Sequence, residues 1–328
     1  MKVCIVGAGA IGGWIGTRLA TAGVEVSAIA RGATKAALQE HGWRLQTADG
    51  LTQAPVAAVS EHAQDLGVHD LVVIAVKGPA LAAVAASLQP LLGAQTVVLP
   101  AMNGVPWWFC RGLPGFEAPL LSVDAGGVID RAIPFEQVLG CVVHAATATT
   151  APGVVTHKGG NGLIVGEAAG GLSERAARVV DVLKQGGFGA THSDHVRQAI
   201  WYKLWGNLTM NPVSALTGAS IDRILADPLV RAFCSAAMTE AQAIGARIGC
   251  AIDETPEARH AVTAKLGAFK TSMLQDVQAG RPLELDAIVG VVHEMGGRLG
   301  LAVPNIGALL GLARLMARER GLYPEATA

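Results

Sequence analysis

A chain of 328 residues exceeds what one hydrophobic core usually organises, so two domains are expected, each large enough to bury a substantial core. A formal charge of -1, with acidic and basic residues interspersed, leaves no electrostatic footprint for nucleic acid or an anionic membrane, and a small-molecule partner is favoured. The five cysteines, Cys4, Cys110, Cys141, Cys234 and Cys250, are odd in number and never spaced C-x-x-C, which argues against a disulfide framework or a zinc site and suits a reducing cytoplasm.

Met1-Lys2 passes directly into an apolar run that stops at a glycine cluster, with neither an h-region nor a small-residue cleavage site, so no export signal is expected. From there the first half alternates short Val/Ile-rich runs with Ala-rich helical patterns, the signature of βαβ units around a parallel sheet. Strands are predicted at 3–6, 24–30, 71–76 and 96–99, and the continuously apolar run at 71–76 suits a central strand covered on both faces. Residues 78–110 carry no charge, but Pro79, Pro90, Pro100 and Pro106 divide them, so a helix, a buried strand and a loop are predicted in place of a membrane span.

Further strands are predicted within 137–150 and at 163–165. Beyond Ser173 the pattern turns helical, with apolar residues at three-to-four spacing through 176–183, 199–216, 229–248 and 261–277. The glycines at 186, 187 and 189 and the polar Thr191-His192-Ser193-Asp194 put a boundary near residue 190. The expected fold is therefore α/β, an N-terminal Rossmann dinucleotide-binding domain over 1–190 followed by an all-helical domain over 191–328. The apolar helix at 308–317 suits a buried core or a homodimer interface equally well.

Gly7-Ala8-Gly9-Ala10-Ile11-Gly12 follows the first strand and opens a helical pattern, the context that a G-x-G-x-x-G phosphate loop requires. Gly7 permits the tight turn, Gly9 lets backbone amides approach a pyrophosphate, and Gly12 allows close helix–strand packing. After the second strand, where NAD-specific domains place a carboxylate, stands Arg31, whose guanidinium can pair bidentately with a 2′-phosphate and so points to NADP. Lys77 and Asn103 follow two further strands, where open α/β sheets bind ligands, although a solvated lysine and a plain Asn-Gly turn would read the same.

Lys203, Asn207 and Asn211 recur every fourth residue and so share one helical face, a receptor for a carbonyl and a carboxylate or else a polar outer face. Ser272-Met273-Leu274-Gln275-Asp276 and Gly280-Arg281-Pro282-Leu283-Glu284-Leu285-Asp286 form a third cluster. There the plainer reading is stronger: Asp276 and Arg281 as an ordinary ion pair, Glu284 as a carboxylate at a helix start.

Taken in order, G-x-G-x-x-G, Lys after a strand, N-G, K-x-x-x-N-x-x-x-N, S-M-x-Q-D and G-R-x-x-E-x-D resemble the ketopantoate reductase family over residues 1–295. The resemblance implies an NADPH-dependent reduction of a 2-keto acid without a metal, in pantothenate synthesis. By matching position, Lys203 resembles the family's general acid, and Asn207, Asn211 and Ser272 match substrate-binding residues. Asn103 matches a residue touching both substrate and cofactor, Arg31, Lys77 and Glu284 match cofactor residues, and Ala125 in Asp124-Ala125-Gly126 matches the nicotinamide end. Two departures bear on the substrate: Leu283 replaces a threonine common in the family, and no asparagine stands at 218–221, where some members place another ligand. A paralogous 2-keto-acid oxidoreductase and a non-catalytic NADP sensor are the alternatives, and retention of Lys203, Asn207 and Asn211 argues against the sensor.

Overall fold

The computed structural model describes residues 1–325 and divides into two compact units. One comprises Met1–Asn103 and Gly127–Ala199; the other comprises Gly104–Gly126 and the chain from Ile200 onward. A single boundary near residue 190 does not anticipate the excursion at 104–126.

The first unit runs β1 (Lys2–Val6), α1 (Ala10–Thr21), β2 (Glu25–Ile29), α2 (Gly32–His41), β3 (Trp43–Thr47), β4 (Gly50–Ala54), β5 (Val59–Ser60), β6 (His69–Ile74), α3 (Gly78–Ala85) and β7 (Leu92–Pro100). After the excursion it continues with α4 (Val128–Ala132), β8 (Leu139–Ala151), β9 (Val154–Glu167), α5 (Glu174–Gln185) and β10 (Gly189–Ser193). Five strands form a parallel sheet in the order β5-β2-β1-β6-β7. Its central strands β1 and β6 are the uninterrupted apolar runs, and their Val and Ile side chains are fully buried, as strands covered on both faces require.

A second sheet, β10-β9-β3-β4 with β8 paired to β9, lies outside the predicted pattern in three respects. The β3/β4 hairpin was not predicted from its alternating polar residues, yet Trp43 buries itself against α1, where a side chain at Gly16 would come within 2.7 Å of its ring. β8 and β9 form one long antiparallel hairpin, not two short runs, because register shifts at His144/Ala146 and beyond absorb the glycine-rich 159–162 stretch. The polar residues 191–193, expected to mark the domain boundary, extend β10 along β9 as a parallel edge strand.

In the second unit the helices are α6 (Val196–Thr217, entering from the first unit), α7 (Ile221–Ala226), α8 (Pro228–Arg247), α9 (Pro256–Ala264), α10 (Ser272–Gln278), α11 (Val291–Arg298) and α12 (Pro304–Glu319). The continuous helix predicted over 261–277 is broken between α9 and α10. Gly267 takes φ +61°, the carbonyls of Gly267 and Phe269 accept the first amides of α7, and Thr271 caps α10 by accepting from Leu274 N at 3.2 Å. The excursion belongs to this unit for a plain reason: Trp107, Trp108, Phe109 and Phe116 are all buried, and Phe109 stacks on Trp201 at 6.0 Å. Among the described residues no helix is long and apolar enough to cross a membrane.

Candidate active site

The parallel sheet gathers four candidate segments along one edge. Its register sets Ile29, Val6, Ile74 and Pro100 in a single row, so the residues that follow each strand (Arg31, Gly7, Lys77 and Asn103) emerge at the same carboxyl edge. This is where an open α/β sheet holds its ligand.

The glycine loop has the backbone geometry its sequence implies. Gly7 takes φ +95° while its amide donates to Ile29 O at 3.0 Å, and a Cβ there would meet Val76. A Cβ on Gly12 would fall 2.0 Å from Gly7 O, so α1 can approach β1 only with glycine at that position. Gly9 differs: a Cβ there would meet no protein atom within 4 Å. The lost side chain at Gly9 leaves space that the protein does not fill, directly in front of Ala10, Ile11 and the start of α1. No side chain caps this helix and no acid stands in its first turn. An uncapped helix start beside open space fits a pyrophosphate.

Arg31 is exposed at the N-cap of α2, and Lys77 is half-buried at the N-cap of α3. Lys35, one turn beyond Arg31, adds a cation that motif matching passed over; its Nζ lies 3.5 Å from Glu61 Oε1. Asn103 is half-buried and leads into Gly104, whose φ of +84° and approach to Ala287 O exclude any side chain.

The second unit holds the other candidates. Lys203, Asn207 and Asn211 lie along one face of α6; the first two are half-buried and Asn211 is 5 % exposed. A simple polar outer face does not describe that arrangement. The helix is held from behind by buried Trp201, Leu204, Trp205 and Leu208, with Trp205 Nε1 donating to Met238 O at 2.9 Å. Tyr202, beside Lys203, donates to Glu254 at 2.5 Å under the Arg259 guanidinium. That hydrogen bond and burial raise the Tyr202 pKa, so its proton stays on. Pro212 has no amide to give to Leu208 O, which interrupts the backbone ladder beside Asn211.

Ser272 is exposed at the first position of α10, with Met273 and Leu274 packed inward. Asp276 and Arg281 do form the ion pair that the plainer reading expected, at 3.0 Å, and the Arg281 amide closes the turn onto Asp276 O. Glu284 is half-buried immediately before a helical run that opens with a π-helical turn, Asp286–Gly290. Leu283 is buried, with its amide donating to Leu322 O, and belongs to the core. Ala125 is exposed in a short turn ahead of Gly126 and Gly127, both in the left-handed region.

Two supports in this unit come from residues outside the motifs, Tyr323 and Glu294. Tyr323 donates to Asp286 at 2.6 Å, and burial first and then this bond push its pKa up to about 12. Glu294 accepts the amides of Leu121 at 2.9 Å and Ser122 at 2.8 Å, while Arg298 reaches Ala118 O and Pro119 O. Together they hold the strip that leads to Ala125. Burial alone would raise the Glu294 carboxyl, but the Ser122 and Leu121 donors and Arg298 outweigh it and hold it below the usual range. All five cysteines are buried, and burial lifts Cys4 to about 12 and Cys234 to about 11.

Comparison with known proteins identifies the family of the chain. Residues 3–170 match the ketopantoate reductase PanE/ApbA family, and residues 195–317 match its C-terminal domain. The 2-dehydropantoate 2-reductase of Mesorhizobium japonicum is 42% identical over 326 residues, covering 98% of this chain and 100% of that protein. A solved structure from Ralstonia solanacearum, assigned provisionally as a ketopantoate reductase, is 53% identical, with a TM-score of 0.94 over 98% of this chain and 99% of that one. The structure of D-mandelate dehydrogenase with NADH and anilino(oxo)acetate shares the fold, with a TM-score of 0.84 at 21% identity over 98% of this chain and 100% of that one. A glycine loop opening onto an uncapped helix start, a helical second unit carrying the lysine–asparagine row, and this likeness over 98% of the chain have one explanation: the chain is an oxidoreductase that uses a nicotinamide dinucleotide and belongs to the ketopantoate reductase family.

Proposed function

We propose that the protein reduces 2-dehydropantoate to pantoate with NADPH, a step of pantothenate and coenzyme A biosynthesis. The observation that carries this reading is the row Lys203, Asn207 and Asn211 on one face of a helix whose other face is locked by tryptophans. When bound, NADPH supplies the hydride to C2. The Lys203 ammonium hydrogen-bonds the C2 carbonyl oxygen, stabilises the negative charge that develops there, and delivers the proton that completes the alcohol. Asn207, Asn211 and Ser272 donate hydrogen bonds to the carboxylate and hydroxyl of the substrate and fix which face of the carbonyl is presented.

In the first unit Gly7 to Gly12, Lys77 and Asn103 would hold the cofactor; Ala125 and Glu284, which match cofactor positions of the family, stand in the second unit. Arg31, with Lys35 close by, supplies the positive charge that suits a 2′-phosphate. A second reading, the reduction of a different branched 2-keto acid by the same residues, is favoured by Leu283, which is buried and offers no hydroxyl where many members carry threonine.

Steady-state oxidation of NADPH and NADH, with 2-dehydropantoate run beside 2-ketoisovalerate and 2-ketoisocaproate, separates the two. Higher kcat/KM for 2-dehydropantoate with NADPH is expected. Preference for another keto acid selects the second reading, and no oxidation with any of them overturns both.

A further inference from the structure

None of the residues placed in the active site lines an open cleft of about 500 Å3 between α7, α8 and α9 within the second unit. Its polar lining is Arg231 and Ser235 on α8 with Glu257 and His260 on α9; the remainder is aliphatic, including Leu225 and Pro228. Arg231 and Ser235 stand one turn apart, and Glu257 and His260 three residues apart, so each pair shares a helical face. Ser235 Oγ and His260 Nε2 are 3.0 Å apart and join the two walls. His260 is 5 % exposed, and burial lowers its pKa, which keeps the imidazole neutral at neutral pH.

The cleft therefore presents one fixed positive charge, one fixed negative charge and a neutral hydroxyl–imidazole pair against aliphatic walls. A simple anion drawn to Arg231 is repelled by Glu257, and a simple cation meets the reverse. A ligand carrying both charges satisfies both, and the volume is in the range of small-molecule sites. The walls are also pre-formed. α8 is bonded to α6 through Trp205 and Met238, and α9 through Arg259 stacked over Tyr202 at 4.7 Å.

We infer that this cleft binds a small aliphatic α-amino acid as its zwitterion, with the carboxylate on Arg231, the ammonium on Glu257 and the side chain against Leu225 and Pro228. Calorimetric titration of the full chain with L-valine and L-leucine tests it, beside isovalerate and isobutylamine, which each keep the branched chain and only one of the charges. At least one amino acid is expected to bind one-to-one, with each single-charge analogue weaker by about tenfold or more. Arg231→Gln and Glu257→Gln, both at exposed positions and checked for folding by thermal melts, are each expected to weaken the amino acid by a similar factor.

Because an α-amino acid resembles a 2-keto acid, the titration is repeated with Lys203→Ala, in which binding should persist. The inference is overturned by no binding at millimolar concentration, by equal binding of the analogues and the amino acids, or by unchanged binding in both glutamine variants. Binding that disappears in Lys203→Ala overturns it too, since the ligand then occupies the reduction site.

Discussion

The two units present their candidate residues by different physical means. In the first, backbone does most of the placing: four strand ends fall in one row, Gly7 and Gly12 permit packing that a Cβ would block, and Gly9 leaves open space before α1. In the second, side chains of one long helix do it, and the surrounding aromatic and ionic contacts hold that helix and the loop at 104–126 in place. The first arrangement should be sensitive to added atoms and the second to removed ones.

The largest expected effect lies in the second unit. Lys203→Ala should lower kcat by about 10²–10⁴-fold, the range for loss of a general acid, while cofactor affinity measured by fluorescence titration changes little. Turnover at the parental rate would show that the α6 row is not the reacting centre.

Adding one carbon tests the first unit, and the two glycines should answer differently. Gly12→Ala drives a Cβ onto Gly7 O and should cost about 1–3 kcal/mol of stability, read as a lower midpoint in urea unfolding. Gly9→Ala meets no protein atom, so its midpoint should match the parent while its cofactor affinity falls. Equal midpoints for both variants would sink the distinction between a packing glycine and a ligand glycine. Arg31→Ala comes next, with an expected rise in KM for NADPH of about tenfold and no rise for NADH, since a charge-assisted bond contributes about 1.5–3 kcal/mol.

The same contrast explains what could be read from the chain. In the first unit β1 and β6 are buried on both faces and therefore spell themselves as apolar runs, and the glycine loop is local in sequence. Trp43 and the β3/β4 hairpin escaped because their burial depends on α1, a partner distant in sequence, and β10 escaped because an edge strand tolerates Thr, His and Ser. In the second unit the row on α6 was legible from its spacing of four, whereas the break at Gly267 depends on α7 borrowing two carbonyls from that loop. The excursion was hidden for a similar reason. Trp107, Trp108 and Phe109 announce burial but not against what, and Glu294 lies 172 residues from the Ser122 amide it holds.

Glu294 gives the smallest effect and the clearest check on whether remote side chains position the loop. Its carboxylate, 16% exposed as a side chain, accepts two backbone amides and pairs with Arg298 at 2.6 Å. Glu294→Gln keeps the size but loses the charge on one side of those bonds, and should cost about 1–2 kcal/mol at neutral pH. Because the folded-state pKa is depressed, the unfolded chain takes up its proton first as pH falls. The stabilisation is thus complete above the ordinary carboxylate value of 4.5 and is lost as pH drops through the lower folded value. Glu167, held low by Arg175 and Ser173 against its own burial, titrates with the same sign in the first unit, so the parent alone cannot separate the two. The difference between parent and Glu294→Gln can. It should be constant between pH 6 and 8 and shrink below about pH 4.5 in thermal melts, and a difference that persists unchanged into acid would mean that the amides of Leu121 and Ser122 are held by shape and not by charge.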